Sequence, residues 1–109
     1  MFSTTSFAKE FTEIWECKDQ MDRNADFFGV SKVLITAKIT SPDSGEIDVA
    51  GITHTTRYYV QGFDRRWDFG GEELNKYSFI IQPNGIGGYY KLEGSKSVSA
   101  SLAVKCTQK

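Results

Sequence analysis

Few residues in this chain have the types and spacing needed for chemistry. His54 is the only histidine; it sits in Thr53-His54-Thr55-Thr56, with no neighbouring cysteine or carboxylate to complete a metal site. A strand histidine in that setting reads as structural. Asp64 and Asp68 could form an acid/base pair. On an extended strand, four residues apart places them about 13 Å from one another, beyond the roughly 6.5–9.5 Å of an inverting glycosidase pair. Gly85, Gly87 and Gly88 suggest a phosphate loop, but Tyr89-Tyr90-Lys91 follows instead of the Lys-Ser/Thr pair and helix that a P-loop requires. No nucleophile elbow is present. The sequence therefore assigns no catalytic residue, metal or cofactor, and the expectation is a non-enzymatic protein. An enzyme using Asp64, Asp68 or His54 is the last-ranked reading.

The segment from Tyr58 to Gly71 holds five aromatic residues and two arginines, closed by Gly70-Gly71. Tyr, Trp and Arg dominate binding hot spots. Two readings follow. If the segment is extended, Phe63, Arg65, Trp67 and Phe69 face one way and Asp64, Arg66 and Asp68 the other. The apolar side then joins the core, with Arg65 over an aromatic face and Arg66 held between two aspartates. If it bulges into a loop, Tyr58, Tyr59, Arg65, Arg66, Trp67 and Asp68 form a partner-binding surface. The leading functional expectation is accordingly a protein-binding module: a subunit, an adaptor or an inhibitor. The alternative is a binder of a small apolar ligand, with Tyr58, Trp67, Phe79 and Tyr89 as wall residues.

Charge narrows the partners. Thirteen basic residues nearly balance fourteen acidic ones, for a net charge of −1. The basic excess that phosphate neutralisation demands is missing, which argues against nucleic acid. No apolar run is long enough for a membrane-spanning helix. The first ten residues show neither a basic n-region nor an apolar h-region, so no signal peptide is expected, and the expected setting is cytoplasmic. Cys17 and Cys106 are too few and too far apart for a zinc site. Two buried thiols suit a reducing compartment; a disulfide between them would close a long loop and add about 4–5 kcal/mol in a chain-entropy model. The sequence leaves that choice open.

The elements that would carry these residues are read from periodicity. Phe7, Phe11, Ile14, Trp15, Lys18 and Met21 fall at helical spacing behind the caps offered by Ser3 to Ser6. This predicts a helix over about 6–22, with Glu10, Glu13, Glu16 and Asp19 on its other faces. Ser31 to Thr40 alternates as a strand. Pro42-Asp43-Ser44-Gly45 reads as a turn, and Glu46 to Gln61 returns to complete a hairpin. Apolar parity slips near Gly51, the mark of a bulge or break. Tyr77 to Gln82, Tyr89 to Leu92 and the clear alternation of Val98, Ala100, Leu102, Val104 and Cys106 supply further strands.

A length of 109 residues with 39% hydrophobic and 14% aromatic content fits a single domain over 1–109, burying roughly 65% of its unfolded surface. The expected fold is α+β: an N-terminal helix packed on a curled antiparallel meander of five to six strands over about 31–107. That layout is similar to cystatin-like and small-barrel architectures, a likeness of arrangement that carries no function. Free sheet edges would offer a route to a homo-oligomer by strand pairing.

Overall fold

The structure, a computed structural model, describes residues 11–19, 33–93 and 96–109. These form eight strands: β1 Glu13–Asp19, β2 Val33–Ser41, β3 Ser44–Val49, β4 Ile52–Gln61, β5 Asp64–Phe69, β6 Tyr77–Ile81, β7 Ile86–Glu93 and β8 Lys96–Gln108. Each strand pairs antiparallel with the next, and β1 pairs with β8, so the sheet closes into a barrel. Among the described residues there is no helix, and none is long and apolar enough to cross a membrane.

The α+β expectation is therefore corrected to all-β. The predicted helix is where it fails. Its positions 6–10 and 20–22 lie outside the described residues, but Glu13–Asp19 is a strand hydrogen-bonded on both sides. Trp15 stands opposite Ala37 and Cys17 opposite Ile35 on one flank; on the other, Cys17 stands opposite Cys106. Pairing on two flanks overrides a local spacing preference. The spacing itself was misleading, because Trp15 follows the buried parity of the barrel while Ile14 and Lys18 lie on the outer one. The meander has eight strands rather than five or six, because the long second run is two strands, Asp64–Phe69 is a strand, and the segment expected as a helix supplies β1. They meet at residues 50–51, where Ala50 (φ 52°) and Gly51 (φ 89°) make the left-handed pair of a tight hairpin turn. The parity slip near Gly51 is this turn.

Closure also removes the edge route to a homo-oligomer, since every described strand has two neighbours and a closed barrel has no edge.

Cys17 and Cys106 are joined by a disulfide across the β1–β8 seam, 89 residues apart in sequence. The alternative of two free thiols is set aside for this structure.

The core is the barrel interior. Cys17, Ile35, Ala37, Ile39, Ile47, Tyr58, Trp67, Phe69, Phe79, Ile81, Val104 and Cys106 form one buried cluster. Trp67, fully buried, is its centre. Its ring lies 5.0 Å from Tyr58 and 6.0 Å from Phe79, and its Nε1 donates to the Lys38 carbonyl at 3.0 Å. That donation satisfies the one polar atom of a large buried indole. Gly45 makes it possible. A Cβ there would sit 3.0 Å from the Trp67 nitrogen and 2.2 Å from the Lys38 carbonyl oxygen. The turn expected at 42–45 spans only 42–43, and Gly45 is a strand residue opposite Thr56.

Antiparallel order fixes the two ends of the barrel. One end gathers the start of β1, the turns at 42–43, 62–63 and 82–85, and the end of β8. The other gathers the turn at 50–51 and the loop at 70–76.

Candidate functional site

β5 decides what the aromatic-arginine segment can do. It is extended, so its side chains alternate. Trp67 and Phe69 are buried in the interior, while Phe63, in the turn before the strand, is 86% exposed. Tyr58 pairs with Trp67 and Tyr59 with Arg66. The six residues proposed as one partner surface are thus split. Tyr58, Arg65 and Trp67 belong to the inner face; Tyr59, Arg66 and Asp68 belong to the outer one. The four wall residues proposed for a ligand are not split. Tyr58, Trp67, Phe79 and Tyr89 share the inner face, with Phe79 opposite both Trp67 and Tyr89.

On the outer face, Asp68 is a hub. Its Oδ1 accepts from Arg66 Nε and Ser78 Oγ, each at 2.8 Å, and its Oδ2 accepts from the Tyr59 hydroxyl at 2.8 Å. Arg66 also donates from Nη1 to Gln61 at 2.9 Å and lies over the Tyr59 ring at 5.4 Å. Burial raises the Tyr59 pKa, helped by the hydrogen bond to Asp68 and its negative charge; Arg66 and Arg57 oppose the shift. Asp68 is buried along with Ser78, and both of its oxygens are occupied. A carboxylate held this way is a structural acceptor, not a free base.

The inner face gathers a second polar group at the end that holds the 62–63 turn. Glu13, which the sequence reading placed on a helix, accepts at Oε1 from both Trp15 Nε1 and Arg65 Nε. Arg65 Nη2 reaches Oε2 at 3.4 Å. The Arg65 guanidinium lies 5.0 Å over the Trp15 ring. The Arg65 and Glu13 side chains are 30% and 19% exposed, so solvent reaches this pair. Beneath it, Tyr58 packs on Trp67. Burial raises the Tyr58 pKa, the Arg65 charge lowers it and the Glu13 charge raises it. The Tyr58 hydroxyl therefore lies in the field of the pair, but it forms no hydrogen bond among the described residues. Val60, opposite Arg65 in register, and Phe63 form an exposed apolar lip.

The other end of the interior is aromatic. Phe69 lies 5.0 Å from His54, 5.7 Å from Tyr77 and 5.9 Å from Tyr89, and Tyr77 lies 5.7 Å from Tyr89. The rings pack on one another and fill the space between them. Burial also raises the Tyr89 pKa, with Tyr77 adding to it. His54 is a packing residue against Phe69. Among the described residues, no group of three or more His, Cys, Asp or Glu side chains could hold a metal ion. Thr56, between these two regions, is buried with its Oγ1 unpartnered.

Sequence reasoning missed Glu13, Trp15 and Thr56. One signal pointed to Glu13: an arginine on the inner parity of a strand needs a counter-charge from elsewhere. No family model, curated protein or solved structure matches the chain, so the functional reading rests on the geometry of this barrel alone.

Proposed function

We propose that this protein is a non-enzymatic binder of a small molecule with an apolar body, taken at the barrel end where Arg65 and Glu13 meet. One observation carries the reading. Glu13 and Trp15 of β1 and Arg65 of β5 converge, the Arg65–Glu13 pair within reach of solvent, above a floor made by the buried Tyr58 and Trp67. A few convergent polar groups over aromatic walls is the usual composition of a ligand site, and an eight-stranded barrel is about the width that holds one small ligand. The protein-partner reading has one point in its favour, the exposure of Phe63 and Val60 at the same lip. It loses the continuous Tyr58–Asp68 surface on which it was based. The disulfide supports an oxidising compartment over the cytoplasmic one.

The test is a two-dimensional nitrogen-15 NMR titration of the oxidised protein with a panel of amphiphiles and aromatic acids. Shifts concentrated at residues 13–15 and 58–65 are the expected result. Silence across the panel, or shifts confined to Tyr59, Arg66 and Asp68, would overturn the proposal. A partner captured through Phe63, and lost in Phe63→Ser, would support the protein-partner reading instead.

A further inference from the structure

The unused hydrogen-bonding capacity at this mouth has a definite sign. Arg65 has five N–H donors in a planar fork. Glu13 occupies the side-on edge, through Nε and Nη2. The end-on edge, where Nη1 and Nη2 present parallel N–H groups, is bonded to no described residue. The Tyr58 hydroxyl is likewise unpartnered among the described residues, and it feels the charges of both Arg65 and Glu13. The carboxylate in the group is already engaged, since Glu13 Oε1 takes Trp15 Nε1 and Arg65 Nε and Oε2 faces Arg65 Nη2. What remains is mostly donors, three N–H groups on Arg65 beside a Tyr58 hydroxyl that can give or take. Two parallel N–H groups fit a carboxylate, which takes one on each oxygen. The Glu13 carboxylate on the side-on edge and the Trp15 ring beside the guanidinium hold the fork in orientation before any ligand arrives. Val60, the register partner of Arg65, and Phe63, in the turn before β5, expose their side chains at the same barrel end, which suits an apolar body.

We infer that the ligand is an anionic amphiphile, a carboxylate on an apolar body. Its head binds the end-on edge of Arg65 and the Tyr58 hydroxyl, and its body lies against Val60 and Phe63. Glu13 remains in place and serves as a positioning residue. This inference rests on the ligand-binding reading above and adds the chemistry of the head group.

The test compares three probes with the same ten-carbon tail: decanoate, decan-1-ol and decyltrimethylammonium. Each is titrated below its micellar concentration into the oxidised protein and followed by nitrogen-15 shifts and tryptophan fluorescence. Decanoate is expected to bind at least tenfold more tightly than the other two. Arg65→Gln should bring decanoate down to the level of the alcohol. Tyr58→Phe, which removes one hydroxyl and no packing, should weaken decanoate several-fold and leave the alcohol unchanged. Equal binding of all three probes, or a decanoate preference that survives Arg65→Gln, would overturn the inference while the ligand-binding reading stands. Binding of none of the three, in a protein whose spectrum shows it folded, overturns the inference; silence across the wider panel as well overturns the reading beneath it.

Discussion

The cluster around Asp68 and the cluster around Glu13 are assembled from the same parts. Each has a carboxylate, an arginine lying over an aromatic ring, and a tyrosine close to both charges. The two arginines are neighbours in sequence, and strand alternation sends them to opposite faces of β5. On the outer face the parts close on themselves. Asp68 receives three donors, Arg66 is held through Nε and Nη1, and the Tyr59 hydroxyl is bonded to Asp68. On the inner face the carboxylate is engaged, but the Tyr58 hydroxyl and one edge of Arg65 are not. The first arrangement is what a folded chain does with polar groups it must bury. The second retains donors that a bound molecule could use. Neither composition nor the number of free guanidinium N–H groups separates the two, since each arginine uses two of its five. What separates them is the tyrosine hydroxyl, bonded to the carboxylate only on the outer face, and the greater exposure of Arg65, 30% against 15% for Arg66.

Removing each carboxylate tests the contrast most severely. Asp68→Ala leaves the buried Ser78 hydroxyl without an acceptor and the half-buried Arg66 with Gln61 alone, and should cost about 3 kcal/mol in urea denaturation. Glu13→Ala, at a solvent-reached pair, should cost about 1 kcal/mol. Equal losses would mean that the inner cluster is as structural as the outer one. The tyrosines give a gentler version. Tyr59→Phe breaks one hydrogen bond to a charged acceptor, worth about 1.5 kcal/mol. Tyr58→Phe breaks none, and its stability should stay within about 0.5 kcal/mol of wild type. Thr56 lies between the clusters as a third case, a buried hydroxyl with no partner. Thr56→Val should raise stability by about 1 kcal/mol; a loss of that size would show that the hydroxyl is satisfied in solution.

The smallest effect expected is the dependence on alkaline pH. Tyr58, Tyr59 and Tyr89 are all raised above their ordinary 10.0, with burial the leading cause in each. The folded protein therefore holds these phenolic protons more tightly than the unfolded chain does. Their contribution is complete below pH 10 and is lost as pH rises through the raised values. Thermal melts from pH 9 upward should show this decline, and Tyr58→Phe and Tyr59→Phe should each flatten it. A melting temperature independent of pH across that range would contradict the burial of these phenols.

Several strands were legible in the sequence, but the closed barrel was not, because the strand that closes it was read as a helix. The inner and outer faces of β5 follow from alternation of Arg65, Trp67 and Phe69 with Asp64, Arg66 and Asp68. The break near Gly51 was visible as a change of parity. β1 was not legible, because its inner parity begins with Glu13, whose partner Arg65 is 52 residues away, while Ile14 lies on the outer one. A charged residue inside and an apolar one outside erase the alternation that marks a strand, and the residual spacing imitates a helix. The same exchange hid half of the candidate site. Arg65 was found because it sits among aromatics on a readable strand. Glu13 was not, because only the closing of the sheet brings β1 beside the rest.

The disulfide has a mechanical consequence. Cys17 lies in the first described strand and Cys106 in the last, so the chain between them is a covalent ring that contains β2 to β7 entire. Tension applied to the two chain ends passes through the sulfur–sulfur bond and bypasses that ring. Pulling the oxidised protein should peel only residues outside 17–106. With reductant present, the 89-residue span should add about 300 Å of extended chain. A cut in any turn from 42–43 to 82–85 would open the ring without releasing a fragment. The barrel is built to be nicked or stretched and still remain one molecule.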